Sequence, residues 1–420
     1  MSINNAATGI LITAIGSVRM RLITPASRSA TFLAAISILY ALMTAARAFG
    51  AERWVGTWEA APAWSDRETS FANQTLREVV HTSIGGELVR VRFTNVFGDV
   101  PLTIAHATVA LRSTAANAAS VPFDVTFGGA RSVTVPPHAQ TLSDAIGMQV
   151  PAAGDLLVSI YLSGDVHDPT YHPLALQTNY IAPGDRASNV DGTAFTGEYR
   201  AWYLISGVDV AGTDASGAVV ALGDSITDGA HSRPDENGRW PDVLARRLLQ
   251  LPAARRLGVL NAGISGNRVL LDGRAFGINA LARFDRDVIA QSGVKDVIVL
   301  LGINDIQQAP HQDNPRAIEA GLRQLAVQAH EHGLRIFGCT ILPYGGWREY
   351  SPAGEAARES VNGFIRSGAV FDGVFDFDRL LRDPSDPHRM RPDYDGGDHL
   401  HPSPAGLEVM GSAIDLSKLQ

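Results

Sequence analysis

Four short polar segments in the C-terminal half hold residue types that together could cleave an ester. Ser225 stands in Gly223-Asp224-Ser225, directly after the apolar run over 218–222. A serine hydroxyl is a poor nucleophile at neutral pH; it needs a base within hydrogen-bond reach, itself oriented by a third group. His401 can be that base and Asp398 the orienter, both in "GGDHLHPSPAG". The tetrahedral oxyanion formed by attack needs preplaced donors, usually the largest catalytic contribution. The backbone N–H of Ser225, the backbone N–H of Gly266 in "NAGISGNR" and the side-chain amide of Asn304 in "GIND" can converge on it. Glycine suits position 266 because a side chain there could obstruct the substrate's approach to the backbone. Taken singly, each residue has a plainer reading: Ser225 a helix N-cap, Asp224 a structural hydrogen-bonder, Gly266 a turn, Asn304 and Asp305 a strand-end cap. Only the set of four outweighs those readings.

The surrounding elements decide whether the set can meet. From residue 218 onward, apolar runs "AVVAL", "LGVLN", "DVIVLL" and "LRIFGCTIL" alternate with amphipathic stretches such as "RWPDVLARRLLQL" and "NPRAIEAGLRQLAVQAHEHG". That alternation predicts a largely parallel sheet with helices on both faces, in which ligands collect at the carboxyl ends of the strands. The polar segments with Ser225, Gly266 and Asn304 each follow an apolar run, so one sheet edge receives all three. The loop with Asp398 and His401 precedes a final helix and can fold back over that edge. From about 54 to 210 the texture differs: short runs such as "ELVRVRFTNVFGD" and "DLLVSIYLSGD" are broken by turn residues, and Arg90 and Arg92 alternate with Val89, Val91 and Phe93. Such a period of two predicts half-buried strands and a β-sandwich or jelly roll. The small-residue stretch "VAGTDASGA" at 210–218 marks the boundary. The expected organisation is a signal peptide over 1–48, a β-rich domain over 49–212 and an α/β domain over 213–420.

The four blocks "GDSITDG", "NAGISGNR", "GIND" and "DHLHP", in that order, resemble those of the SGNH hydrolases, also called GDSL esterases. The resemblance covers roughly the C-terminal half. It implies a flavodoxin-like three-layer α/β/α fold that hydrolyses carboxylic esters through an acyl-enzyme. It also puts the base three residues after the aspartate, at His401 rather than at the rival His399. Gly223-Asp224-Ser225-Ile226-Thr227 lacks the second glycine of the Gly-x-Ser-x-Gly elbow of α/β-hydrolases. A jelly-roll-like partner beside an exported domain of this kind resembles carbohydrate acetylesterases acting on plant polysaccharides, including arylesterase-like proteins of xylan-degrading systems. The expected enzyme is a secreted or periplasmic esterase for short, above all acetyl, esters. The rival readings are a lipase- or thioesterase-like acylhydrolase and a non-catalytic carbohydrate-binding protein.

Composition fits this picture. The 420 residues are 45% apolar and 19% charged, with a net charge of −8, which argues against a nucleic-acid partner. Arg19, Arg21 and Arg28 precede an apolar run over 31–46 and the small-x-small Ala46-Arg47-Ala48, the pattern of a cleavable secretory signal ending near Phe49. The stretch from Met20 onward alone has the shape of a complete signal. The run is short for a bilayer crossing, so no stable membrane association is expected after cleavage. Cys339 is the single cysteine, so no intramolecular disulfide forms; its apolar run predicts a buried, inert thiol. His330 and His332 suit a helix C-terminus, and the aspartate-rich stretch over 376–398 reads as a solvated loop without EF-hand spacing. No nucleotide motif or zinc motif is present, and neither cofactor nor metal is expected. Asn267, Arg268, Tyr344 and Trp347 are candidate pocket residues, for a small-molecule or polysaccharide ester. Trp54, Trp58 and Trp64 read either as sugar-stacking groups or as packing residues.

Overall fold

In the computed structural model, which describes residues 52–368 and 370–420, the antiparallel half begins where the alternation does. The expected signal segment and its cleavage site lie outside the described residues. The principal strands in this half are β1 (Val55–Glu59), β2 (Ser70–His81), β3 (Gly86–Thr94), β4 (His106–Thr114), β5 (Asp155–His167), β6 (Asn179–Pro183) and β7 (Ile205–Ala211). One sheet runs β1-β7-β3, extended by the strand Ile146–Val150, and a second runs β6-β2-β5-β4. Every pairing among them is antiparallel. Val89, Val91 and Phe93 of β3 and Leu156, Val158 and Ile160 of β5 belong to one buried cluster. Val79, Ala110 and Leu157, from the opposite face of the second sheet, belong to another. Alternate residues thus fill a space between two facing sheets, as the period of two demands.

Five residues after β7, β8 (Gly217–Gly223) opens a parallel sheet with β9 (Leu257–Gly263), β10 (Val294–Leu300), β11 (Arg335–Cys339) and the short β12 (Gly373–Phe375). Their spatial order is β9-β8-β10-β11-β12. The order reverses between β8 and β10, so the connections after β8 diverge there and leave a crevice at the strands' carboxyl ends. Helices cover both faces. Along β8, Val219 and Ala221 pack with α2 (Trp240–Leu248) and α6 (Pro404–Ala413). Val220 and Leu222 pack with α4 (Pro315–Glu331) and α5 (Pro352–Arg366). The longer helices begin where sequence chemistry dictates: Asn314, Ser351 and Ser403 cap α4, α5 and α6, each with proline in the first turn. Among the described residues no helix is long and apolar enough to cross a membrane.

Residues Arg53–Gln420 form one compact unit, because the two halves touch backbone to backbone. A Cβ on Gly258 would sit 2.1 Å from the carbonyl oxygen of Gly56, so β1 can cross β9 only at a glycine. Ala60 and Asn261 form a parallel bridge, and the Val259 N–H donates to Ser83 Oγ at 2.9 Å. The polar face of β3 is covered as well. Arg90 donates to Asp209 and Ser292, and Arg92 to Gln291 and the Ala290 carbonyl. The alternating arginines therefore lie along a seam, satisfied by groups more than a hundred residues away.

Candidate active site

The chain turns sharply after β8. A Cβ on Gly223 would lie 2.0 Å from Thr227 Oγ1, so only glycine lets the chain turn so tightly into α1 (Ser225–Asp228). Asp224, not Ser225, caps that single turn, its Oδ1 accepting from the Ile226 N–H at 3.0 Å. Ser225 is the first helical residue, and its N–H, like others in a first turn, has no intrahelical acceptor. The second carboxylate oxygen of Asp224 is buried without a hydrogen-bond partner. Burial, with Asp305 and Asp228 adding negative charge, pushes its carboxyl up to about 7 despite the Ile226 N–H.

The structure brings Ser225, His401 and Asp398 into one hydrogen-bonded line across 176 residues. Ser225 Oγ lies 2.8 Å from His401 Nε2, and His401 Nδ1 lies 2.7 Å from Asp398 Oδ2. The other oxygen of Asp398 accepts from the N–H groups of Leu400 and His401. Burial raises the Asp398 carboxyl, but the His401 ring and these amides outweigh it and hold the group down at about 2. The carboxylate is therefore anionic wherever the imidazole is poised to take a proton. Trp347 stands edge-on to His401 with ring centroids 6.5 Å apart. His399 points elsewhere: its Nδ1 bonds Asp395 Oδ2 at 2.6 Å. His231, which the sequence reading missed, stacks on His401 with centroids 5.5 Å apart and bonds Asp398 Oδ2 at 3.2 Å. His231, Asp398 and His401 lie close enough to share a cation, as do Glu355, Glu359 and His388. In the first set the hydrogen bonds just described already account for the approach.

Gly266 lies at the third position of a four-residue turn in which the Asn267 N–H donates to the Ile264 carbonyl at 3.0 Å. Its φ is +79°, and a Cβ there would meet the Phe276 ring at 2.2 Å, so glycine is required twice over. Asn304, in α3 (Ile303–Gln307), donates one amide hydrogen to the Asn267 carbonyl, while its Oδ1 accepts from Gln307 and Gln308. Asp305 holds the same loop by accepting from the N–H groups of Val269 and Leu270. Burial pushes its carboxyl up to about 6 despite those bonds.

Three expected pocket residues serve the loops instead. Asn267 is fully buried: its amide hydrogens go to the carbonyls of Phe276 and Ile278, and its oxygen accepts from Arg283. Arg268 is 7% exposed and spends its guanidinium on Gln308 and the carbonyls of Ala309 and Pro310. Tyr344 is buried against Tyr350. Of the four, Trp347 borders the site; its Nε1 is fixed by Gln307. Arg283, which no motif flagged, ties the carboxyl ends of two strands by donating to the carbonyls of Gly223 and Ala262, with Asp287 as counter-ion. Trp58 packs on Trp202 inside the fold, Trp54 lies half-buried under Arg90, and Trp64, also half-buried on Phe97, lines a cavity of about 400 Å³ with Arg67, Asp168 and Arg274. The cavity between the halves that Trp58, Trp202 and His172 line is only about 50 Å³, room for a water or two and not a sugar. The aspartate-rich stretch is not simply solvated, since Asp376 pairs with Arg366, and Asp378, fully buried, with Arg358 and Arg366. Cys339 is buried, and burial pushes its thiol well up, away from a reactive thiolate.

Residues 221–409 match the GDSL-like lipase/acylhydrolase family. Similar solved structures include a lipolytic protein of the G-D-S-L family from Desulfitobacterium hafniense, at 21% identity over 48% of this chain and 97% of that one, TM-score 0.37. A GDSL-like lipase from Bacteroides thetaiotaomicron is 19% identical over 48% of this chain and 87% of its own, TM-score 0.36. An acetyl xylan esterase from Geobacillus stearothermophilus is 25% identical over 47% and 93%, TM-score 0.36. No curated protein matches the chain. Residues 221–409 are thus a GDSL-like lipase/acylhydrolase domain, preceded in this chain by an antiparallel β region.

Proposed function

We propose that this acylhydrolase is a serine esterase for short acyl groups, acetyl above all, acting outside the cytoplasm on small or polysaccharide esters. The single observation that carries the catalytic part is the Ser225–His401–Asp398 line, at 2.8 and 2.7 Å. In this reading Ser225 Oγ bonds to the acyl carbon as its proton passes to His401 Nε2, and the carbonyl π pair moves onto oxygen. The resulting oxyanion takes hydrogen bonds from the N–H groups of Ser225 and Gly266 and from the second amide hydrogen of Asn304. Collapse breaks the ester C–O bond, and His401 returns its proton to the leaving alcohol. Water then repeats the sequence on the acyl-enzyme, releasing the acid. Phe276 stands over Gly266 and Trp347 edge-on to His401, and we read these two rings as walls that favour a small acyl group. Export rests on the arginines and apolar run of the N-terminal segment.

The test is hydrolysis of p-nitrophenyl acetate and octanoate, and of acetylated xylan, by wild type and Ser225→Ala. The expected result is loss of about 10⁴-fold or more in kcat with the variant, and acetate preferred over octanoate by at least about tenfold. An active Ser225→Ala enzyme would rule out Ser225 as the nucleophile, and two inactive proteins would overturn the reading in favour of binding.

A further inference from the structure

We propose that His172, in the antiparallel half, is a positioning residue for the reaction: through Asp228 it fixes the Ser265–Gly266 turn that presents an oxyanion donor. The proposal rests on the acylhydrolase reading above and adds a residue from outside the family domain. His172 lies on a two-residue strand, Tyr171–His172, paired with Trp202–Tyr203 and packed against the Trp202 ring. Its Nε2 meets Asp228 Oδ1 at 3.0 Å, and its Nδ1 meets the Ala61 carbonyl at 2.9 Å. The Ala61 carbonyl accepts, as does Asp228 when ionised, so both ring nitrogens are placed to donate and the site favours an imidazolium. Its side chain and that of Asp228 are each 3% exposed. The other oxygen of Asp228, Oδ2, accepts from Ser265 twice, from its N–H at 2.9 Å and its Oγ at 2.7 Å.

Ser265 and Gly266 are the two central residues of the turn closed by Asn267 N–H and the Ile264 carbonyl. Positive φ at the third position makes this a type II turn, and types I and II differ by a flip of the central peptide. That peptide carries the Gly266 N–H, so the same flip decides whether the donor faces the acyl oxygen. Asp228 pins the residue on one side of it at two atoms. A buried carboxylate without its hydrogen-bonded cation takes up a proton or moves toward another charge. Arg239, whose Nε already donates to the Asp228 carbonyl, is the nearby cation on that side. Either response loosens both bonds to Ser265. A pair that only stabilised the seam would lower the melting temperature and leave turnover in the folded enzyme unchanged; a pair that orients a donor lowers kcat.

The experiment compares wild type, His172→Phe, His172→Gln, Ser265→Ala and the His172→Phe/Ser265→Ala double variant, with Ser225→Ala as control. It uses p-nitrophenyl acetate turnover and inhibition by a short-chain trifluoromethyl ketone, which forms an oxyanion adduct on serine. His172→Phe is expected to lower kcat about 10- to 100-fold with KM within about twofold, and to weaken the ketone by a similar factor. His172→Gln, which keeps a donor toward Asp228, should recover much of the loss. The double variant should be no worse than His172→Phe, since both changes break one relay. Wild-type kcat in folded His172→Phe, or losses that multiply in the double variant, would overturn the proposal. If His172→Phe does not fold, His172→Gln and Ser265→Ala decide: a lowered kcat at unchanged KM in Ser265→Ala supports it, and wild-type kcat in both refutes it. Activity surviving in Ser225→Ala would instead refute the esterase reading on which it stands.

Discussion

Two histidine–aspartate pairs flank the single helical turn α1, one at each end, and they do opposite things with the same groups. At the Ser225 end, His401 Nδ1 faces Asp398 and its Nε2 faces a hydroxyl, which can donate. A neutral imidazole with a free Nε2 lone pair fits that place. At the Asp228 end, His172 faces a carboxylate with Nε2 and a carbonyl with Nδ1, so it can only donate. Exposure separates them further: the His401 side chain is 16% exposed and that of His172 3%. What the second ring nitrogen faces, rather than the pairing with aspartate, divides a proton acceptor from a fixed cation.

The largest effect that tests this division belongs to the first pair. His401→Ala should cost about 10⁴- to 10⁶-fold in kcat, and Asp398→Asn about 10³- to 10⁴-fold through the wrong tautomer, in p-nitrophenyl acetate assays. His399→Ala, which breaks a bond to Asp395 only, should stay within about tenfold of wild type. The reverse ranking of His399 and His401 would reassign the base.

A pH profile sharpens the contrast at the next level. His401 must be neutral to accept the serine proton, so kcat/KM should fall on the acid side about tenfold per pH unit. Asp398, held down at about 2, stays ionised through that range and contributes no second break. In His172→Phe the plateau should drop while the acid limb stays in place. A slope steeper than one above about pH 4 would mean that a second group takes up a proton there, Asp224 and Asp305 with their raised carboxyls before Asp398.

How much of this the sequence carries depends on the range of each contact. Ser225, Gly266 and Asn304 each sit in a short block after an apolar run, and Asp398 and His401 in a polar loop before the final helix, where local chemistry marks them. The strands of the sheet are equally legible, save β12, whose three residues are too few to show a period. His172, His231 and Arg283 carry no local signal. His172 reaches Asp228 across 56 residues, and Arg283 reaches Gly223 across 60, so only the folded chain reveals either. Asn267 and Arg268 read as candidate pocket residues because they fall on a loop leaving the same strand edge, and in the fold their side chains tie down loops. The arginines of β3 are a related case: alternation marks the strand and its polar face but not what covers that face.

Asp224 completes the comparison, because it is as buried as Asp228, at 1% against 2%, and has no cation. Asp228 is met by an imidazolium; the outer oxygen of Asp224 meets nothing. Its carboxyl is therefore raised from 3.8 to about 7, burial being the main cause. A raised carboxyl favours the fold in its neutral form, so its contribution is complete below pH 3.8 and lost as pH rises through about 7. An asparagine side chain at this position would keep the oxygen that accepts from Ile226 and could never ionise. The expected outcome for Asp224→Asn is stability close to wild type at pH 4 and greater than wild type at pH 9, by on the order of 2 kcal/mol in urea denaturation. His172 predicts the same direction by another route: its pKa is raised from 6.5, burial being overcome by Asp228, so its stabilisation is full below 6.5 and fades at higher pH. His172→Phe should therefore flatten the alkaline loss of stability as well. The two substitutions part at the active site, where His172→Phe alone should weaken the trifluoromethyl ketone, since Asp224 makes no bond to the Ser265–Gly266 turn. An equal gap between Asp224→Asn and wild type at pH 4 and pH 9 would show that folding does not raise the Asp224 carboxyl.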